Sequence, residues 1–452
     1  MSKTHGLKMA AATIAGLTLA TVGVVSAQDA PKMGMTTDIP DGITTPDNIE
    51  TQLGELTFFD GVPNEETAEK IYDLYDFSQA YQAYIGGIKI ASMDAMLRGI
   101  EMDSKALFLT PNTTSVYQTA SLRMTDEPWV IETPPNVLGF VNNAWFQYVT
   151  DFGNLGPDEG QGGKFLILPP GYAGDAPTEG YTAVVPTTTY GHWVLWRGYT
   201  DENGSPDTAV QQTQERFKMY PLSQADNPPE MTFVNVSGQE INTVIQAEPL
   251  NGENPALLGY LDAIGIVKGQ DFAPDDRMRS ILERAAAAGA VTVKTLISKP
   301  RDDLAYWYPG ESYWQNAFPG SEYTFTINDA MQHDFRAAFH FYATGITPAM
   351  ACKSVGKGSQ YAFTYRDADG NALDGSKTYV LNVPADPPAQ DFWSFTLYDN
   401  QTRSMLQTDK QFPALGSKDG LQQNGDGSFD IYFGPVAPEG KESNWLQTVP
   451  GK

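Results

Sequence analysis

The sequence WFQYVTD at Trp145–Asp151 has a distant counterpart in WSFTLYD at Trp393–Asp399. Both stretches begin with tryptophan, alternate bulky and smaller side chains with a period of two, and end at an aspartate before turn-forming residues. This pattern predicts a β-strand in each. The runs that follow are also alike, GKFLILPPG at Gly163–Gly171 and GSFDIYFGP at Gly427–Pro435. We therefore predict two related β modules in one chain.

Other short strands recur within residues 106–199 and 360–433, among them Ala106–Thr110, Trp129–Glu132 and Phe165–Leu168. They are separated by prolines and glycines, which is typical of a sandwich or barrel. Apolar residues recur every three or four positions after Asn64, which predicts a helix that breaks at Gly86–Gly87. The predicted organisation is a signal peptide at 1–27, a flexible lead at 28–48, a first module at 49–205, a helical bridge at 206–300 and a second module at 301–452.

The first residues have the composition of an export signal. Lys3 and Lys8 precede the apolar run Met9–Val25, and the small residues Val25–Ala27 form a cleavage site before Gln28. We expect a cleaved secretory signal and a periplasmic or secreted protein. An uncleaved anchor is the alternative, although the run is slightly shorter than the ~20 residues that a membrane span needs. No later stretch is apolar enough to cross a membrane.

The composition restricts the partners. A net charge of −26 repels nucleic acid and anionic membrane surfaces, so we expect neither as a partner. A hydrophobic content of 41% with 12% aromatic residues indicates a packed globular protein. Cys352 is the only cysteine, which excludes an internal disulfide. It lies in an apolar run, and we predict a buried structural thiol instead of a nucleophile.

Several runs carry a specific resemblance: FLTPNT at Phe108–Thr113, YPLS at Tyr220–Ser223, GKGSQY at Gly356–Tyr361, DFWS at Asp391–Ser394 and NWLQTVPGK at Asn444–Lys452. The chain resembles the bacterial two-part family of domains of unknown function 1254 and 1214 over nearly everything after residue 45. The resemblance implies a mainly β fold with helical additions, in which two jelly-roll-like β-sandwich modules are joined by a helical bridge. Such proteins are often exported and have no settled activity.

The family pattern also implies one more strand after Lys452, the counterpart of Gly191 to Arg197 in the first module. Either the full protein continues beyond Lys452, or the second sandwich lacks an edge strand and exposes unpaired backbone groups.

The sequence offers few catalytic signatures. No Gly-x-Ser-x-Gly motif is present, and Ser354–Lys357 matches Ser-x-x-Lys only in a run that an ordinary turn explains better. After signal removal, His192, His333 and His340 remain, without a His-Glu-x-x-His motif. His333 and His340 would be about 10 Å apart along a helix, too far to chelate one ion. A site that combines His192 with acidic residues from elsewhere is the alternative, but we favour a structural histidine and predict no metal site.

One acidic turn has oxygen atoms at alternate positions, which is the spacing that calcium prefers. Its candidate ligands are Asn424, Asp426, Ser428 and Asp430. The same residues supply hairpin-turn geometry without any ion, and that interpretation is the favoured one.

Polar groups among aromatic residues are typical of pockets that bind a sugar or an aromatic molecule. Candidate ligand-binding residues are Asn112, Tyr117, Trp145, Tyr148 and Trp196 in the first module and Arg336, Tyr342, Trp393, Tyr398 and Arg403 in the second. Arg197 ends an otherwise apolar strand, where a buried charge needs a carboxylate or a bound anion.

Three functions follow. The first is a protein that binds a small organic or carbohydrate ligand. The second is a metal-independent hydrolase or lyase with His192 or His340 as the acid–base group beside Arg197 and tyrosine. The third is an envelope protein that forms homo-oligomers through a sheet edge.

Overall fold

The computed structural model describes residue 34 and residues 37–97, 109–112, 115–201, 205–229, 241–352, 359–390, 392–410 and 412–452. The predicted signal peptide, the Ser354–Lys357 run and most of the strand predicted from Ala106 lie outside these ranges. The chain divides into two compact units, Met1–Lys70 and Ile71–Lys452.

The described part of the smaller unit contains three short antiparallel strands, β1 (Asn48–Thr51), β2 (Gly54–Phe59) and β3 (Val62–Pro63). The helical pattern of the sequence did not predict them. Helix α1 (Glu65–Leu97) follows. The side chain of Asn64 accepts a hydrogen bond from the backbone N–H of Thr67 (2.8 Å), which is how an N-cap residue starts a helix.

Helix α1 is continuous through Gly86–Gly87, so the predicted break is wrong. The two glycines serve packing instead. A Cβ atom on Gly86 would lie 2.6 Å from Cδ1 of Leu257, which means that the missing side chain makes room for that leucine. Glycine therefore allows close approach of another helix here and does not end α1.

Two mainly antiparallel sheets form the centre of the first half of the chain, by which we mean the residues before the second predicted module at 301–452. Their strands, with one helix, are β4 (Ser115–Arg123), β5 (Trp129–Glu132), β6 (Leu138–Asn143), β7 (Tyr148–Gly153), β8 (Lys164–Leu168), β9 (Ala183–Pro186), β10 (Gly191–Tyr199), α2 (Asp207–Arg216) and β11 (Lys218–Pro221). Sheet 1 has the order β4-β10-β6-β7, and sheet 2 has the order β11-β5-β8-β9. Strand β11 lies in the predicted helical bridge, yet it pairs with β5.

Strand β10 shows how sheet 1 is buried on both faces. Val194 and Trp196 belong to a cluster that also contains Ile131 and Phe165 of sheet 2. Trp193 and Leu195 belong to a different, aromatic-rich cluster on the other face. Because side chains alternate along a strand, one face of sheet 1 packs on sheet 2 and the other on elements of the second half.

A helical group follows, with α3 (Ile241–Ala247), α4 (Pro255–Ala263) and α5 (Asp276–Ser298). Together with α1, these helices bury Trp145, which is fully inaccessible to solvent. Trp145 lies in the turn between β6 and β7, so the strand predicted from Trp145 begins only at Tyr148.

The remaining elements are short: β12 (Gln315–Asn316), β13 (Thr326–Ile327), β14 (Ala330–Met331), α6 (His333–Tyr342), α7 (Pro348–Ala351), β15 (Ala362–Phe363), β16 (Tyr379–Val383), β17 (Ser394–Thr396), β18 (Ala414–Gly416), β19 (Phe429–Gly434) and β20 (Trp445–Gln447). Strands β16-β19-β20 form a three-stranded sheet, and the others form pairs. The described chain is therefore a mixture of helices and small sheets, and the prediction of a mainly β fold was too strong.

The two halves meet at a buried amide. The side-chain N–H of Asn142 on β6 donates to the carbonyl oxygen of Ile346 (2.7 Å), and the backbone N–H of Ile346 donates to Oδ1 of Asn142 (3.0 Å). Asn142 is fully buried, so both halves of its amide are satisfied where an unpaired group would be costly.

None of the helices within the described residues is both long enough and apolar enough to cross a membrane.

Candidate functional site

The predicted residues Asn112, Tyr117, Arg197 and Tyr398 come together with Tyr361, and we call these five residues the arginine–tyrosine cluster. Nη1 of Arg197 donates to the Tyr361 hydroxyl (3.4 Å), and its guanidinium carbon lies 5.9 Å from the ring centre of Tyr117. Nδ2 of Asn112 donates to the Tyr117 hydroxyl (2.7 Å).

Strand pairing positions the first-half members. Arg197 on β10 is the register partner of Tyr117 on β4, so the two side chains are cross-strand neighbours. Arg197 has the same parity along β10 as Trp193 and Leu195, which places it on the face that packs against the second half. The second-half members lie in loop-like segments: Tyr361 precedes β15, and Tyr398 follows β17.

The cluster carries a positive charge. Burial alone would lower the pKa of Arg197, but the neighbouring Tyr361 and Tyr117 outweigh burial and the pKa is raised. Burial raises the pKa of Tyr117 and also that of Tyr398, so these phenols stay protonated. Within the described ranges, no carboxylate forms an ion pair with Arg197. The guanidinium is thus a charged donor among neutral phenols.

Arg197 also lines a small cavity of about 10 Å³ together with Leu138, Asp151, Thr347 and Met350. This volume is close to the minimum that one water molecule needs. The cavity is therefore too small to hold a ligand larger than one water molecule. Tyr117, Arg197, Tyr361 and Tyr398 are all partly exposed.

A second arginine, the predicted residue Arg403, lies among other aromatic rings. Its guanidinium carbon is 3.9 Å from the ring centre of Phe341, and burial lowers its pKa against the opposing influence of Tyr365 and Tyr84. Its buried Nε has no hydrogen-bond partner in the part of the chain that the structure describes. This is a separate cation in a more apolar environment.

The segment Leu109–Asn112 connects the two arginines. The backbone N–H of Thr110 donates to the carbonyl oxygen of Arg403 (2.9 Å), and the Tyr398 hydroxyl donates to that of Pro111 (2.6 Å). Thr110 has a φ of 43°, which a β-branched residue rarely adopts. Tertiary contacts from the second half thus hold this first-half segment in a strained conformation beside Arg197.

Comparison with known families identifies both halves. Residues 95–221 match a family model described as a protein of unknown function (DUF1254), and residues 358–452 match one described as a protein of unknown function (DUF1214). The chain is a DUF1254–DUF1214 protein. The DUF1254 domain supplies Asn112, Tyr117 and Arg197, and the DUF1214 domain supplies Tyr361 and Tyr398.

The fold is similar to the crystal structure of the VPA0106 protein from Vibrio parahaemolyticus. The TM-score is 0.50 at 16% sequence identity, and the match covers 83% of this chain and 92% of that chain. At this identity the similarity concerns the fold alone. No curated protein matches the DUF1254–DUF1214 chain.

The histidines do not join Arg197. His192 has the opposite parity along β10 and is fully buried on the face towards sheet 2. Its ring nitrogens have no hydrogen-bond partner among the described residues, and burial lowers its pKa to about 4. The structure therefore separates His192 from Arg197, because side chains an odd number of positions apart on a strand point to opposite faces of the sheet.

His340 lies with the predicted residue Arg336 in another buried group. Nδ1 of His340 is 2.7 Å from the carbonyl oxygen of Arg336, and the His340 ring packs edge-on against Phe146. Burial lowers the pKa of His340 to about 3, and the buried ion pair of Lys89 with Glu253 is close by. His340 is neutral at physiological pH and has little access to solvent.

The other predicted aromatic residues have packing contacts. Trp196 stacks on Phe217 with ring centres 3.9 Å apart, and Tyr148 packs edge-on against Tyr323. Tyr342 donates to the carbonyl oxygen of Ala317 (3.2 Å), and Trp393 contacts Phe395 and Phe429. Trp145 is in the helical core described above. None of these contacts brings a residue of this group into the arginine–tyrosine cluster.

The residue that the aromatic pattern did not single out is Tyr361. The usable signal was its position at the end of the run Gly356–Tyr361, one of those on which the family resemblance rests. Its backbone carbonyl oxygen accepts a hydrogen bond from Nε1 of Trp307 (3.0 Å), which fixes the segment beside Arg197.

The candidate calcium turn is internally hydrogen-bonded. Nδ2 of Asn424 donates to Oγ of Ser428 (3.0 Å), and that hydroxyl donates to Oδ1 of Asp426 (2.7 Å). Oδ1 of Asp430 accepts from Nδ2 of Asn382 (2.8 Å). Across the described ranges, no three His, Cys, Asp or Glu side chains are grouped as a metal site would require. Cys352 is half-buried, and burial raises the pKa of its thiol.

Proposed function

We propose that this DUF1254–DUF1214 protein is exported and binds a small organic carboxylate at the arginine–tyrosine cluster. The observation that supports the proposal is the guanidinium of Arg197, which stays charged, is partly exposed, contacts phenols and makes no ion pair with a carboxylate among the described residues. Such a charge is stable in a protein when an anion completes the site.

The neighbouring groups favour a carboxylate over other anions. A guanidinium presents two parallel N–H groups that match the two oxygens of a carboxylate. The Tyr361 hydroxyl accepts a hydrogen bond from Arg197 and can itself donate to the same oxygens. The rings of Tyr117 and Tyr398 offer flat apolar walls for the body of the ligand. We therefore expect a monocarboxylate with an aromatic or short aliphatic body.

Binding is favoured over catalysis by the protonation states. Phenols with raised pKa values are poor general bases, and His192 lies on the other face of β10. We also propose that the two sheets of the first half form a jelly-roll-like sandwich, because they share one buried cluster. The arginine–tyrosine cluster would then lie on the face of sheet 1 that points away from sheet 2.

The test is calorimetric titration of the protein with benzoate and hexanoate, each compared with its neutral amide. We expect saturable binding of the acids and none of the amides. Arg197→Gln should weaken binding at least about tenfold, because it removes a charge-assisted pair of hydrogen bonds. Arg197→Lys should give an intermediate loss. Tyr361→Phe, which removes the hydroxyl that contacts Arg197, should give a loss of about two- to tenfold.

The matched control is Arg301→Gln. Arg301 is a surface arginine whose side chain is 84% exposed and pairs with Asp334. Its loss removes the same charge without touching the cluster. Equal binding of acids and amides, or an equal loss in Arg301→Gln and Arg197→Gln, would refute the proposal. Circular dichroism of each variant separates loss of binding from loss of fold.

A further inference from the structure

An open groove of about 330 Å³ lies on the outer face of sheet 2, away from the arginine–tyrosine cluster. Its lining residues are Glu132, Thr133, Pro135, Gln161, Gly162, Gly163, Lys164, Glu215, Arg216 and Lys218. Ile131 and Phe165 point towards sheet 1, so the alternate residues Glu132 and Lys164 point outward. The volume is within the range of small-molecule sites, which begins at about 300 Å³.

A row of charges crosses three strands at this groove. Glu132 on β5 is the register partner of both Lys218 on β11 and Lys164 on β8. Nζ of Lys164 lies 2.9 Å from Oε1 of Glu132, and the Tyr220 hydroxyl donates to the same oxygen. Burial alone would raise the pKa of Glu132, but these donors and Lys218 outweigh it and the pKa is lowered. Glu132 is therefore an engaged carboxylate.

Arg216 and Lys218 are the other two cations of the groove. Neither makes an ion pair with any residue that the structure describes. The other carboxylate of the groove, Glu215, already accepts a hydrogen bond from Nε2 of Gln211 (2.8 Å). Lys164 pairs with Glu132, and the groove as a whole has three cations, Lys164, Arg216 and Lys218, against the two carboxylates of Glu132 and Glu215, an excess of one positive charge. This excess of positive charge stands out in a chain with a net charge of −26.

The remaining walls are polar and carry no aromatic ring. Gln161 is exposed and offers its side-chain amide, whereas the Thr133 hydroxyl is already paired with the backbone of Gly163. Such walls suit hydroxyl groups better than an apolar ring. We propose that this groove binds a small polyhydroxylated anion, a sugar acid or a sugar phosphate, with Arg216 and Lys218 as the anion-binding residues.

The experiment is calorimetric titration of the full chain at low salt with glucuronate, glucose 6-phosphate and glucose. We expect saturable binding of at least one of the two anions, weaker binding at higher salt and no binding of glucose. Binding of glucuronate alone assigns a carboxylated sugar, and binding of glucose 6-phosphate alone assigns a phosphorylated one. The double variant Arg216→Gln/Lys218→Gln should weaken binding at least about tenfold.

Two controls keep the result specific. Lys299→Gln removes an exposed lysine that has no ion pair within the described ranges, and it should bind the anion as the wild type does. Arg197→Gln should also bind normally, which separates this groove from the carboxylate site proposed above. Glucose binding as tightly as the anions, unaltered binding in the double variant, or no saturable binding of either anion would each overturn the proposal.

Discussion

The molecule contains two three-strand units, β5-β8-β9 and β16-β19-β20, that have the same pairing pattern but very different surroundings. In the first half, β8 pairs antiparallel with β5, which precedes it, and parallel with β9, which follows it. In the second half, β19 pairs antiparallel with β16 and parallel with β20. The runs Gly163–Gly171 and Gly427–Pro435, which contain β8 and β19, are those whose likeness was visible in the sequence.

The packing of the two units differs. Sheet 2 covers sheet 1, and Leu166 and Ile167 of β8 are fully buried. The second unit has a smaller buried cluster, and Val380 of β16 is 57% exposed. The comparison teaches that local sequence specifies the pairing of a strand, while its burial depends on what the rest of the chain packs against it.

The aspartates that end the two matching stretches show the same divergence. Burial raises the pKa of Asp151 to about 6, although a hydrogen bond from Thr347 opposes it. Burial would also raise the pKa of Asp399, but Lys452 and the backbone N–H groups of Thr402 and Gln401 outweigh burial and lower it. Equivalent positions thus hold carboxylates with opposite preferences for the proton.

The largest effect should come from the core tryptophans. Trp196 is 1% exposed, stacks on Phe217 and donates from Nε1 to Thr213 (3.1 Å), so Trp196→Ala should lower the free energy of unfolding by about 3–5 kcal/mol. Trp393 is only half-buried, and Trp393→Ala should cost about half as much. Urea denaturation measures both. Equal losses would mean that the two units are packed alike, against the comparison above.

The aspartates should respond to substitution with opposite signs. The folded pKa of Asp151, about 6, lies above the unfolded value of about 4, so its ionised form reduces stability above pH 6 and the penalty vanishes below pH 4. Asp151→Asn should therefore raise the free energy of unfolding by about 2–3 kcal/mol at pH 7 and change little at pH 4.

For Asp399 we expect the opposite sign when it is replaced in the same way, by Asp399→Asn. Its lowered pKa means that the carboxylate stabilises the fold above the unfolded pKa, and that this contribution is lost as pH falls through the folded value. The substitution should destabilise at neutral pH, by about 1–2 kcal/mol from the weakened hydrogen bonds. If both variants shift stability in the same direction at pH 7, the contrast between the two sites is refuted.

The smallest effect concerns the turn that leads into β19. Asp426→Ala removes hydrogen bonds to the backbone and hydroxyl of Ser428 in an exposed hairpin, so the melting temperature should fall by at most about 2 °C. Addition of calcium should leave the melting temperature of the wild type and the variant unchanged. A calcium-dependent rise in the wild type that Asp426→Ala abolishes would instead establish an ion site.

Local patterns predicted strands well where pairing is regular. The alternation around Trp129 and Phe165 predicted β5 and β8 almost to the residue. The predictions at Trp145 and at Gly86–Gly87 failed for a tertiary reason. Trp145 is buried by four helices that lie far away in the sequence, and Gly86 leaves space for the side chain of Leu257. Neither contact can be predicted from the residues that flank Trp145 or Gly86.

The arginine–tyrosine cluster was predictable only in part, because some of its contacts are local and others join distant parts of the chain. Arg197 was conspicuous as a charge in an apolar strand, and its cross-strand neighbour Tyr117 follows from pairing. The partnership with Tyr361 and Tyr398 depends on contacts between the halves. His192 and Arg197 are five positions apart on β10, and this odd separation alone places them on opposite faces of the strand, so their separation was predictable from the sequence.

The side-chain amide of Asn142 restricts which changes the chain can accept as it diverges. It recognises the peptide unit of Ile346 through backbone groups that any residue would offer, so these hydrogen bonds do not depend on the side chain at position 346. That side chain is constrained instead by its burial in the aromatic-rich cluster. The length of the loop between α6 and α7 is constrained as well, because an insertion would carry the peptide unit out of reach. Chimaeras that combine halves from distant relatives should tolerate other apolar residues at position 346 but few insertions or deletions.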